Sequence, residues 1–155
     1  MEQLYFTACR IPDGGIRVLK KLEGLTELQV ASCDLGWDFG GQVRELPDLQ
    51  ALFVTGDCLM DRGLEGAFGN KTLHYLLLQD SAVTGECFSA LLEMDRPLHL
   101  WLAGCHRLGQ QAIDHLAQAG LANPEFAVTL IECSITEEDV EKRVAQLVEE
   151  REAAP

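Results

Sequence analysis

Cys105 stands directly before His106, and a thiol beside an imidazole is the raw material of nucleophilic catalysis. The reading fails on geometry. Adjacent residues at a strand-to-loop bend point in different directions, and no third residue is evident to orient the base. The four histidines, His74, His99, His106 and His115, show neither the HxH nor the HExxH spacing that gathers a metal ion. No GxGxxG or GxxxxGK[ST] stretch offers a phosphate cradle. Asp57 could serve as a catalytic acid, but its place after an apolar run suits a carboxylate that accepts backbone N–H bonds. The six cysteines contain no CxxC pair, so neither zinc nor a redox motif is indicated. These residues imply no enzyme, no cofactor and no metal, and their spacing has another origin.

That origin is a repeat. Leu73-His-Tyr-Leu76-Leu-Leu78-Gln-Asp-Ser81 recurs 24 residues earlier as Leu49-Gln-Ala-Leu52-Phe-Val54-Thr-Gly-Asp57, and again as Leu25-Thr-Glu-Leu28-Gln-Val30-Ala-Ser-Cys33. Met1-Glu-Gln-Leu4-Tyr-Phe6-Thr-Ala-Cys9 precedes these in the same frame, and Pro97-Leu-His-Leu100-Trp-Leu102-Ala-Gly-Cys105 follows. Glu125-Phe-Ala-Val128-Thr-Leu130-Ile-Glu-Cys133 closes the series four residues late. A fixed period in this range marks stacked supersecondary units. Four cysteines thus share the ninth repeat position, with Asp57 and Ser81 filling it in the two central copies. Stacking would bring Cys9 beside Cys33 and Cys105 beside Cys133, at the strand spacing of roughly 5 Å and within disulfide reach. We read all of them as reduced thiols whose side chains satisfy loop backbone groups.

The fourth and sixth positions of each copy are apolar and two apart, which predicts a strand with both side chains turned to the core. About fifteen residues separate successive strands, enough for a crossover that makes the next strand parallel, with right-handed connection. The crossovers read as short helices over Ile16, Leu19 and Leu22; Leu64, Ala67 and Phe68; Phe88, Leu91 and Leu92; and Ala112, Ile113 and Leu116. Gly14–Gly15 and Gly40–Gly41 predict irregular structure in the first two connections. Asp13, Asp61 and Thr84 are expected as helix caps. The four extra residues before the last strand are expected to form a longer turn over Ala119–Pro124. Thr136-Glu-Glu-Asp139 resembles a capping box, and Val140, Val144, Leu147 and Val148 make the apolar stripe of a closing helix at about 136–151, followed by a frayed tail at 152–155. Nothing comparable covers the first strand, an edge that is tolerated, paired with another chain or covered in an assembly.

The phrase LxxLxLxxC, followed by Leu, Ile or Val, resembles the leucine-rich repeat family and is most similar to its cysteine-containing branch. The resemblance covers residues 1–135, with Met1, Pro97 and Glu125 departing from the usual first leucine. It implies an α/β right-handed solenoid of six repeats within one domain over 1–155. The parallel sheet would line the concave face, short helices the convex face, and a C-terminal helix would cap the stack. It also implies a habit of binding proteins on the concave side.

Between the inward leucines stand the residues that face outward. Phe53, Leu77 and Trp101 share the fifth position, and Tyr75 and His99 share the third. They fall on three neighbouring strands and predict one apolar-aromatic patch of several hundred Å², in the range that marks an interaction site. Gln79, Asp80, Glu27 and, farther along, Glu132 surround it, so a partner with an apolar plug and a basic rim fits best. The net charge of −13 argues against nucleic acid and against an anionic membrane surface. No basic-then-apolar leader and no apolar run of membrane-spanning length is present, so a cytoplasmic chain is expected. The leading expectation is a non-catalytic module that binds a protein on its concave sheet. A sharper version is an inhibitor or immunity protein that neutralises a basic enzyme or toxin, and the alternative is a structural subunit of a larger assembly.

Overall fold

A computed structural model describes residues 2–57 and 59–153. Met1, Cys58 and the last two residues of the expected tail, Ala154 and Pro155, lie outside the described residues. The strands in chain order are β1 (Gln3–Thr7), β2 (Arg10–Ile11), β3 (Glu27–Ala31), β4 (Asp34–Leu35), β5 (Ala51–Thr55), β6 (Tyr75–Gln79), β7 (Leu98–Ala103) and β8 (Phe126–Ile131). Six of them form one parallel sheet in the order β1-β3-β5-β6-β7-β8. Pairing is in repeat register throughout: Leu4 lies opposite Leu28, Leu28 opposite Leu52, Leu52 opposite Leu76, and Leu76 opposite Leu100. The short strands β2 and β4 pair one step farther along, where the Arg10 guanidinium meets the Asp34 carboxylate at 3.3 Å.

Alternation sets the core. From β3 to β7 the fourth- and sixth-position side chains are buried, while in β1 Leu4 and Phe6 are only half-buried, because β1 is an edge of the sheet. The eighth position of every coil takes a left-handed backbone: Ala8, Ser32, Asp80 and Glu132 have φ between 50 and 53°, and Gly56 and Gly104 have φ of 105 and 63°. Six recurrences of a positive φ at one repeat position mark a common turn, which ends each strand and, except at exposed Asp57, swings the ninth side chain inward. For the four non-glycine residues this conformation costs on the order of 1 kcal/mol each. The ninth side chains then meet backbone carbonyls. Cys105 Sγ donates to Leu78 O (3.5 Å), Cys133 Sγ to Leu102 O (3.4 Å), Cys33 Sγ to Ala31 O (3.4 Å) and Ser81 Oγ to Leu59 O (3.4 Å). Asp57 departs from this pattern and from the expectation for it, since it is exposed at the surface. A carboxylate cannot donate to the carbonyls that the thiols and the serine serve.

The connections form a row of helical segments, each packed on the next. They comprise a 3-10 helix at Ile16–Lys21, α1 (Phe39–Arg44), α2 (Asp61–Leu64) continued by a 3-10 turn at Glu65–Gly69, a 3-10 helix at Glu86–Glu93, and α3 (Gln110–Ala122). Contrary to the expectation of irregular structure around Gly40–Gly41, α1 is helical. Its glycines are there for contact rather than flexibility: a Cβ at Gly40 would lie 2.6 Å from Gly63 O, and one at Gly66 would lie 2.5 Å from Gly41 N. Neighbouring helical backbones touch, and only glycine lets them. Leu92, expected on the buried face, is 38% exposed. The four extra residues also correct the expected turn at Ala119–Pro124: they lengthen α3 by about one helical turn, and the chain leaves the helix only after Ala122.

The expected caps act across coils instead of within them. None of the helical segments before α4 has a side-chain bond at its own N-cap. Asp61 reaches into the following coil, where it accepts from Thr84 N (2.8 Å), Thr84 Oγ1 (3.0 Å), Gly85 N (2.9 Å) and Cys87 N (3.1 Å). Asp13 accepts from Asp38 N (3.3 Å), again one coil on. Buried Asn70 ties three segments at once: its Nδ2 donates to Val43 O and Leu46 O, both at 2.8 Å, and its Oδ1 accepts from Thr72 N and Leu73 N. At the far end, α4 (Glu137–Glu152) opens on the anticipated capping box, with Thr136 and Asp139 bonded in both directions. The helix extends through Glu152, where fraying was expected. Val140 is buried against the core, Arg143 Nε meets Asp114 at 2.7 Å on α3, and Glu137 Oε1 accepts from the edge amide of Leu130 at 3.2 Å.

Candidate functional site

Outward positions of the sheet are set by the same alternation that builds the core, so the face opposite the core is ruled into columns. One column runs Gln3, Glu27, Ala51, Tyr75, His99 and Ala127; the next runs Tyr5, Gln29, Phe53, Leu77, Trp101 and Thr129. The third runs Thr7, Ala31, Thr55, Gln79, Ala103 and Ile131. Register therefore brings Phe53, Leu77 and Trp101 side by side, with Tyr75 next to His99.

The aromatic rings are in contact. Tyr75 and His99 have ring centroids 5.8 Å apart, and His99 stacks on Trp101 at 5.4 Å with 20° between planes. His99 is pinned in the middle of this array by a 2.9 Å bond between Nε2 and Thr129 Oγ1. Tyr75 is 54% exposed and Trp101 37% exposed, while Phe53, Leu77 and His99 are half-buried beneath and beside them. Cross-strand and same-strand stacking holds the rings in one orientation before any partner arrives, which lowers the ordering cost of binding.

The other end of the face is polar. Glu27 accepts from Gln29 Nε2 (2.7 Å), Gln3 Nε2 (3.1 Å) and Tyr5 OH (3.3 Å), and Tyr5 OH also reaches Gln3 Oε1 (3.1 Å). Partial desolvation, then the Glu27 charge and its hydrogen bond, holds the Tyr5 phenol above its ordinary value. Glu27 thus belongs to a closed network at the first two coils, whereas Asp80 is exposed beside the aromatic end. Gln79 donates to Asp80 at 3.5 Å, and the Asp80 carboxylate leans over Gly104, where a Cβ would lie 2.2 Å from Oδ1. None of the three outward columns contains Lys or Arg, so the charges of this face and its margin (Glu27, Asp80 and Glu132) share one sign.

The thiol–imidazole pair has no catalytic geometry. Cys105 is buried and burial pushes its thiol up to about 11, while His106 is exposed. A thiol in that state supplies almost no thiolate near neutral pH. Among the described residues no group of three or more His, Cys, Asp or Glu side chains could hold a metal ion, and no helix is long and apolar enough to cross a membrane.

A second exposed feature escaped the sequence reading. Trp37 is 61% exposed, with the Arg62 guanidinium 5.1 Å over its ring, and Met60 beside them is 65% exposed. Trp37 and Arg62 border a shallow cleft of about 570 Å³ over the glycine contact between α1 and the segment after α2, shared with Arg44, Glu65 and Phe68. A signal existed: Trp37 occupies the repeat position of Asp13 and Asp61. Compared with known proteins, the chain matches no protein-family model and no curated protein sequence.

Proposed function

We propose that this chain is a non-catalytic leucine-rich-repeat module, a right-handed solenoid that binds a basic protein partner on the outward face of its sheet, in the cytoplasm. One observation carries the reading: an exposed, pre-stacked Tyr75–His99–Trp101 array continuous with Leu77 and Phe53. Tyr and Trp dominate binding hot spots because they bury large areas with few rotatable bonds. The partner's sign follows from the face having acidic groups and no Lys or Arg. The repeat assignment draws its support from the constant register and from the left-handed residue that recurs at each eighth position. Neutralising a basic enzyme or toxin is the sharpest form of this role. The half-buried Leu4 and Phe6 of edge strand β1 favour a second reading, a subunit docked by that edge into a larger assembly.

The test is a titration of the purified partner by calorimetry. Trp101→Ala and Phe53→Ala are each expected to cost about 2 kcal/mol or more of binding, roughly thirtyfold in Kd, with the circular dichroism spectrum unchanged. Wild-type affinity in Trp101→Ala would refute the docking face.

A further inference from the structure

Cys9 and Cys33 are in mutual contact, Sγ to Sγ 3.3 Å. The pairing is imposed from both sides. Thr7 lies opposite Ala31 and Arg10 opposite Asp34, so the two cysteines sit at the same height on adjacent coils. Asp34 N donates to Cys9 O at 2.9 Å, and the Arg10–Asp34 ion pair flanks them. Adjacent parallel strands are about 4.8 Å apart, inside the Cα separation that a disulfide accepts. The sulfurs therefore need to close by little more than 1 Å, without any shift of register.

We propose that Cys9 and Cys33 form a disulfide-exchange site, whose substrate is a low-molecular-weight disulfide and whose product is a bond tying the first coil to the second. Exposure assigns the order of events. Cys9 is part-exposed and Cys33 is 1% exposed, so Cys9 is the attacking thiol and Cys33 the resolving one. Because the hydrogen bond to Cys33 holds the Cys9 thiol above its ordinary value, the exchange quickens as pH rises. Cys9 gives up its proton, and its sulfur attacks one sulfur of the small disulfide. That S–S bond breaks, a mixed disulfide forms on Cys9, and one small thiol leaves with the proton. Cys33 then loses its proton and attacks the Cys9 sulfur, forming the Cys9–Cys33 bond and expelling the second small thiol. Two protein thiols are oxidised, one disulfide is reduced to two thiols, and the reverse exchange restores the reduced pair.

The bond would act where the stack is least secured. Leu4 and Phe6 of β1 are half-buried, whereas their counterparts Leu28 and Val30 are 0% and 1% exposed. Cys105 and Cys133 also direct Sγ at carbonyl oxygens, as Cys33 does at Ala31 O, but their end of the sheet is covered by α4.

The experiment treats the folded full-length chain with oxidised glutathione, quenches with an alkylating agent under denaturing conditions, and maps the peptides. The expected result is a single cross-link, Cys9 to Cys33, with the other four of the six cysteines alkylated. Cys33→Ser is expected to accumulate glutathione on Cys9, because the resolving thiol is gone, and Cys9→Ser to leave Cys33 unmodified over the same time. Six alkylated cysteines in the wild type, or a first cross-link between any other pair, would overturn the proposal. Faster modification of Cys33 than of Cys9 in the single variants would overturn the assigned order.

Discussion

Asp61 belongs to one coil and serves the next. Burial by itself would raise its pKa, but the bonds it accepts from Thr84 and Cys87 outweigh that and hold the carboxyl below its ordinary value. A carboxylate with a depressed folded pKa stabilises the fold above its unfolded value, about 3.9, and loses that contribution as pH falls through the folded pKa. Asp61→Ala is therefore expected to cost about 1–2 kcal/mol near pH 7, the scale of a lost helix cap. The gap between variant and wild type should close as pH drops below about 4, read by urea unfolding at several pH values. A gap that stays constant would show that the charge is not what matters. Asp61 also marks how far single residues were legible. Its helix-start chemistry was readable from its type and position, but the amides it caps are 23 to 26 residues away, and local spacing is blind to that partner. For Phe53, Tyr75, Leu77, His99 and Trp101, the pleat alone fixes the face, so their placement was readable. The closing of Glu27 into a network with Tyr5, Gln3 and Gln29 depends on side-chain rotamers that no spacing encodes.

Strands were the most legible elements, because two apolar positions recurring at a fixed period leave one register that buries both. The helical row was less so. Helix propensity treats Gly40 and Gly41 as breakers, yet α1 forms because its backbone touches the residues around Gly63 and Gly66. This contact reverses an ordinary rule. In an exposed helix Gly→Ala gains about 1 kcal/mol. Gly40→Ala would place a Cβ 2.6 Å from Gly63 O and 2.8 Å from Leu64 O, both backbone atoms that cannot swing away. The expected outcome is a loss of about 2 kcal/mol or more by thermal unfolding, overpacking being the cause. A gain in stability would refute the close contact. The lengthening of α3 has a similar lesson: Pro124 and Asn123 signal a stop, and they do end the helix, but they say nothing of how much of Ala119–Ala122 precedes it as helix.

Charge acts at the scale of the whole molecule. The chain carries −13, while its outward sheet face offers an aromatic centre with acidic margins. Association with a basic partner should then be electrostatically steered, slowing on the order of tenfold between low and high salt, with the dissociation rate much less affected. Stopped-flow mixing across ionic strengths measures this, and a salt-independent association rate would exclude a basic partner. Trp37 and Trp101, the two tryptophans, are exposed on separate features, Trp37 at the cleft beside α1 and Trp101 on the sheet. Each is thus the control for the other. The most direct measurement is a quantitative comparison of proteins captured from extract of the native host by wild type, Trp37→Ala and Trp101→Ala. The account predicts a basic protein retained by wild type and Trp37→Ala and lost with Trp101→Ala. Its retention by Trp101→Ala, or its loss with Trp37→Ala alone, would contradict the sheet face as the docking surface.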